Sequence, residues 1–117
     1  MARRFVPEAG DIVWLEFSPQ AGHELAGHRP ALVLSPAAYN SKTSTMVCCP
    51  MTTQIKGYPF EVVIRTQGGN SAVLSDQVKN LDWKARKATP KGKISTDELD
   101  EVRAKIAALL GIAKTFT

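Results

Sequence analysis

The stretch Asp11-Ile12-Val13-Trp14-Leu15-Glu16-Phe17 decides the fold class of this 117-residue chain. It is rich in β-branched and aromatic residues, and Gly10 and Ser18-Pro19 bound it, which is the punctuation of a strand. Similar signals recur downstream. Ala31-Leu32-Val33-Leu34-Ser35 is a short apolar run between two prolines, as a buried strand would be. Thr45-Met46-Val47-Cys48-Cys49 stops at Pro50, and Phe60-Glu61-Val62-Val63-Ile64-Arg65 follows Tyr58-Pro59. Gly68-Gly69-Asn70 is a turn signal ahead of a strand over Ser71 to Ser75. A weaker strand is expected from Lys84 to Ala88. Strands this short and closely spaced, with no helix long enough for a parallel crossover, predict a mainly β fold: a small antiparallel barrel or sandwich.

One helix is expected after the strands. Ser95-Thr96-Asp97-Glu98 reads as a capping box with Ser95 as N-cap and Glu98 three residues on. Leu99, Val102, Ile106, Leu109 and Leu110 then share one stripe, and Gly111 is placed to stop the helix. Packing of that stripe on the barrel is the expectation, with a partner helix as the alternative. Residues 113–117 read as a loose tail on a single domain covering 1–117.

Hydrophobic residues make up 44% and charged residues 22%, the balance of a folded domain rather than a disordered one. No apolar run approaches the roughly 20 residues of a membrane span. The first eight residues carry charge but no apolar core of a signal peptide, so a cytoplasmic protein with no membrane contact is expected. The net charge of +4 suits a polyanionic partner, either nucleic acid or an acidic protein, and equally describes a surface with a slight excess of lysine. Cys48 and Cys49 are adjacent, so on a strand they point to opposite faces. They suit neither a mutual disulfide nor a zinc site, and read as space-filling thiols in a reducing compartment.

Three segments carry residue types that could do chemistry. Ser18 to Arg29 is a long connection for a small barrel and holds His23, Glu24, His28 and Arg29. Histidine is the residue type that titrates near neutrality, and the planar fork of arginine suits phosphate. A second cluster, Pro50 to Tyr58, offers the hydroxyls of Thr52 and Thr53 and the cation of Lys56. A third is basic, with Lys79, Lys84, Arg86, Lys87, Lys91 and Lys93 around Trp83; a nucleic-acid strand or plain solvent would satisfy it. Composition alone makes these a mobile hairpin loop, a capped turn and a solvated face. The chain has no phosphate-binding glycine loop and no metal-ligand spacing, so a metal-free and cofactor-free reaction is expected of it. RNA cleavage fits that limit, because the 2′-OH is an internal nucleophile beside the phosphate.

Four motifs in order strengthen the RNA reading. Pro7 to Phe17 resembles the opening strand of the MazF family of toxin endoribonucleases. Gly27-His28-Arg29-Pro30 entering Ala31 to Pro36 is similar to that family's Gly-x-Arg-Pro core. Pro50 to Val62 resembles its second motif, and Ser75-Asp76-Gln77-Val78-Lys79 its third. The resemblance runs from about Arg4 to Leu110. It implies an SH3-like β barrel of the CcdB/PemK type with a C-terminal helix, working as a homodimer. It implies metal-independent, sequence-specific cleavage of single-stranded RNA to 2′,3′-cyclic phosphate and 5′-OH ends, with inhibition by an acidic MazE-like antitoxin. It assigns catalysis to Arg29 and Thr52, makes Glu24 a candidate base or base-reading group, and places Phe17, His28, Lys56, Gln77 and Lys79 along the RNA channel. His23 lies outside the motif. The alternative is a non-nuclease toxin resembling CcdB, which binds DNA gyrase; the chain lacks the Trp-Gly-Ile ending that activity uses.

Overall fold

A computed structural model describes residues 5–17, 27–66 and 68–112. Among these, the chain runs β1 (Asp11–Phe17), β2 (Gly27–Val33), α1 (Ala37–Thr43), β3 (Thr45–Thr52), β4 (Glu61–Thr66), β5 (Gly69–Leu74), β6 (Lys79–Asp82), β7 (Thr89–Lys93) and α2 (Thr96–Leu109). The strands form one antiparallel sheet in the order β4-β5-β3-β2-β1-β7, with β6 pairing the first half of β3. The sheet curls into a half-barrel, and the mainly β fold with a C-terminal helix is as expected.

β1 spans the residues its composition marked, and both its faces are used. Ile12 pairs with Leu32 and Val13 with Ala31, so alternation sends successive residues to opposite sides. On one side Ile12, Leu32, Cys49, Met51, Val62, Ile64 and Val73 form a core closed by Leu99 and Val102 of α2. On the other, Val13, Leu15, Phe17, Ala31, Val33, Met46, Cys48 and Trp83 form a second core. Cys48 and Cys49 therefore fill one core each, both as free thiols. Desolvation pushes each thiol up to about 12.

The capping box of α2 is present in both directions: Ser95 Oγ accepts from the Glu98 amide at 3.1 Å, and Glu98 Oε1 accepts from the Ser95 amide at 2.9 Å. The helix ends in a Schellman pattern, with Ile112 N–H donating to Ala107 and Gly111 N–H to Ala108, and Gly111 adopts φ +74°. Leu99, Val102 and Ile106 pack on the sheet as expected. Leu109 and Leu110 do not: they are 46% and 64% exposed, because the helix outruns the core it covers.

Two local features differ from the sequence expectation. The segment Lys84 to Ala88 is a turn between β6 and β7 rather than a strand. Asp82 Oδ1 accepts the Ala85 amide at 2.8 Å, Arg86 and Lys87 amides close back onto Asp82 and Lys84, and Lys87 sits at φ +57°. These local bonds outcompete extension of a ladder. The second feature is α1, for which no helix was expected. Its reason is Asn40, fully buried, whose Nδ2 donates to Pro7 O at 2.8 Å and to Ser35 O at 3.0 Å while Oδ1 accepts from Ser35 Oγ at 2.6 Å. No helix among the described residues is long and apolar enough to cross a membrane.

Candidate active site

Curling the sheet brings the β4–β5 hairpin tip opposite β1 and β7. Between them lies a cleft of about 860 Å³, lined from β1 by Ile12 and Trp14, from β2 by His28, Arg29 and Pro30, and from β3 by Met51 and Thr52. Arg65, Asn70 and Ser71 of the hairpin and Lys91 and Lys93 of β7 complete its charged and polar wall. The floor, Ile12 and Met51, is the open end of the core that α2 covers elsewhere. Five cationic or protonatable side chains, His28, Arg29, Arg65, Lys91 and Lys93, line it, with Lys93 in an ion pair with Asp11. Such a wall in a low-dielectric concavity attracts a polyanion.

Register places the central groups. The β2–β3 ladder ends at the Ala31–Pro50 pair; past it Arg29 of β2 stays paired with Leu15 of β1, while Thr52 of β3 pairs with Ala72 of β5. Arg29 and Thr52 are half-buried. Thr52 Oγ1 accepts the Gln54 amide at 3.0 Å, which leaves its proton available to a further acceptor. The following loop is fastened. The buried Glu61 carboxylate accepts the amides of Lys56 at 3.0 Å and Gly57 at 2.6 Å, and Tyr58 Oη donates to Asp76 at 2.9 Å. Desolvation first, then that hydrogen bond, pushes the Tyr58 hydroxyl up to about 12. Lys105 of α2 donates to the carbonyl of Pro59.

His28 pairs with Glu16, so it is the diagonal, same-face neighbour of Trp14, and the two rings stack with centroids 5.0 Å apart and planes at 15°. Lys91 reaches the same place by an irregularity. Lys93 pairs with Asp11 and Gly92 with Ile12, but Val13 pairs with Pro90, so Lys91 is the extra residue of a β-bulge. In unbroken register Lys91 would stand opposite Val13, whose side chain is fully buried. The bulge instead sets its ammonium 5.2 Å from the centre of the Trp14 ring. Lys93 is held by a 2.5 Å ion pair with Asp11, which raises the Lys93 pKa.

Of the residues named from sequence, Arg29, Thr52 and His28 meet in this cleft. Phe17 does not: alternation puts it with Leu15 in the second core, and it is only 6% exposed. Lys56 is exposed on the fastened loop, Gln77 lies in the turn after β5 with its amide donating to Leu74, and Lys79 opens β6 opposite Cys48. None of these three lines the cleft. Glu24 and His23 lie outside the described residues. Trp14, Arg65 and Asn70 were not singled out from sequence; Lys91 and Lys93 stood in the basic stretch, whose other members scatter, with Arg86 donating to the Glu16 carbonyl and Lys84 lying over Trp83.

Residues 8–110 match the family model described as PemK-like, MazF-like toxin of type II toxin-antitoxin system. The chain belongs to that family. It is 52% identical to the endoribonuclease toxin MazF of Escherichia coli K12, over 95% of this chain and all of that protein. It is 32% identical to the endoribonuclease PemK of E. coli, over 94% of this chain and 90% of that one. Among solved structures, MazF of Deinococcus radiodurans superposes with a TM-score of 0.86 at 52% identity, covering 92% of this chain and 99% of that one. A MazE-MazF structure from the same organism gives a TM-score of 0.85 at 51% identity, covering 94% and 100%. The family match spans the motifs from Glu8 onward, and Arg29 and Thr52 of the MazF-like pattern both line the cleft.

Proposed function

We propose that this chain is the toxin of a type II toxin-antitoxin pair and that it cleaves single-stranded RNA, messenger RNA above all, at specific short sequences. The support is the meeting of Arg29, Thr52 and His28 in one cationic cleft of a MazF-like chain whose curated relatives are named endoribonucleases. In the proposed reaction the 2′-oxygen attacks phosphorus and loses its proton to a base. The bond from phosphorus to the 5′-oxygen breaks, and that oxygen takes up a proton. The products are a 2′,3′-cyclic phosphate and a 5′-OH, and a severed message ends translation. The chemistry requires an acid, a base and donors to the phosphorane, and calls on no metal or cofactor. Arg29 stabilises the developing phosphorane charge with a planar, permanently charged fork. Thr52 donates its hydroxyl proton to a phosphate oxygen, with its own lone pair anchored by Gln54. Glu24 is the proposed base or base-reading group.

The working unit is a homodimer, and the inhibitor is an acidic antitoxin of the MazE type. The MazE-MazF structures at 50% and 51% identity support that partner class, and the basic balance of this chain speeds such an encounter. With no spanning helix among the described residues, the toxin is proposed to act in the cytoplasm.

The test incubates the purified protein with a long single-stranded RNA in EDTA beside an Arg29→Ala control, and maps the ends. Discrete cuts ending in 2′,3′-cyclic phosphate, absent from a control that retains its circular dichroism spectrum, are the expected result. Intact RNA over a wide range of enzyme overturns the reading.

A further inference from the structure

We infer that the bulged Lys91, with the Trp14 ring it overlies and the His28 ring stacked on Trp14, forms a subsite for one nucleotide of single-stranded RNA flanking the cleaved bond, its base on the stack and its phosphate on Lys91. The inference deepens the RNA-cleavage reading and rests on it for the identity of the ligand. Three observations carry it.

First, the stack is built into the sheet. Trp14 is flanked by the diagonal neighbour His28 at 5.0 Å with near-parallel planes, on the concave face and within the 860 Å³ cleft. Flat aromatic surface in a cationic groove is what holds an unpaired base without regard to its identity. Second, Lys91 is there because the β1–β7 ladder is broken. Regular pairing would turn it toward the buried Val13 face; the bulge re-aims it into the cleft. A ladder interrupted only to bury packing would not deliver an ammonium group to an open wall. Third, the neighbouring cation is otherwise engaged. Lys93 is tied to Asp11 at 2.5 Å, so among the β7 lysines of the wall Lys91 is the one whose recorded contact is a ring rather than a carboxylate. A cation over a half-buried ring can exchange that contact for a phosphate once a base takes its place on the ring.

The probe is a single-stranded oligouridylate with 2′-deoxy sugars, which binds but lacks the internal nucleophile. Binding is read by tryptophan fluorescence across a range of salt. Trp83 is only 5% exposed, so the quenching expected on binding belongs to Trp14 and disappears in Trp14→Phe. Lys91→Met is expected to weaken binding about threefold to tenfold. It should also flatten the slope of log affinity against log salt by about 0.7, the share of one phosphate contact on a single strand. Lys91→Arg should restore the slope, and Lys42→Met, on the exposed face of α1, should leave it unchanged. A wild-type slope in Lys91→Met, quenching that survives in Trp14→Phe, or no binding of the probe to the wild type each overturns the subsite. Failure of the RNA-cleavage reading looks different: binding, quenching and the Lys91 slope change all persist while wild-type protein leaves ribo-oligonucleotides uncut.

Discussion

The indole N–H of Trp83 donates a 2.9 Å hydrogen bond to the main-chain carbonyl of Asn40, 43 residues away in sequence. The same carbonyl accepts the Ser44 amide, and the Asn40 side chain is spent on Pro7 and Ser35. Ser35 Oγ in turn accepts the Val47 amide at 2.8 Å. One buried residue thus joins the N-terminal segment, α1, β3 and the turn after β6. Removing a side chain from such a network leaves several buried polar groups without partners. Asn40→Ala should cost about 3 kcal/mol of stability, read from the urea midpoint. A change below about 1 kcal/mol would show that water replaces the amide there.

The two cysteines should behave as core residues. Both are buried, and desolvation raises each from the ordinary thiol range to about 12. In the native protein neither should react with iodoacetamide at pH 8, and both should react once it is unfolded. Linkage sets the alkaline limit. The folded state holds the thiol protons more tightly than the unfolded chain, so their contribution is intact below pH 9 and is lost as pH rises from there toward 12. Lys93, raised by Asp11, adds loss in the same direction above its ordinary value. Denaturation midpoints between pH 8 and 11 should therefore fall, and the fall should be shallower in a Cys48→Ala, Cys49→Ala double variant.

Arg29 and Thr52 should separate by the kind of damage their loss causes. Arg29→Ala should lower single-turnover RNA cleavage by about 100-fold or more, the usual cost of a lost transition-state donor. Thr52→Val removes the hydroxyl that also anchors the Gln54 amide, and a drop of roughly 10- to 100-fold is expected. Thr52→Ser keeps that hydroxyl and should retain most of the activity. Equal rates for the valine and serine variants would mean that Thr52 shapes the loop without touching the phosphate.

The ends of α2 offer a stability test remote from the cleft. Ser95→Ala breaks the capping box and should cost about 1 kcal/mol. Gly111→Ala forces a side chain into φ +74° and should cost about the same, seen as a lower thermal midpoint. Neither change should alter the RNA cleavage pattern, since neither residue lines the cleft.

Features that depend on neighbours along the chain were legible in the amino-acid sequence. The bounds of β1 follow from a dense β-branched and aromatic run between turn residues. The α2 cap follows from Ser95 and Glu98 at helical spacing, and the opposed packing of Cys48 and Cys49 follows from the two-residue period of a strand. Arg29 and Thr52 were singled out through their motifs, and the fold brings both to the lining of one cleft. Features that depend on distant partners emerged only with the fold. The helix over Ala37–Thr43 exists because Asn40 finds Pro7 and Trp83, neither of them near it in the chain. The curl of the sheet gathers Trp14, His28, Arg65 and Lys91 around one cleft from four strands. The Lys91 bulge arises between β1 and β7, about eighty residues apart. A local window holds the propensity of each strand but not the register in which two strands meet, and register is what aims a side chain into a core or into a cleft.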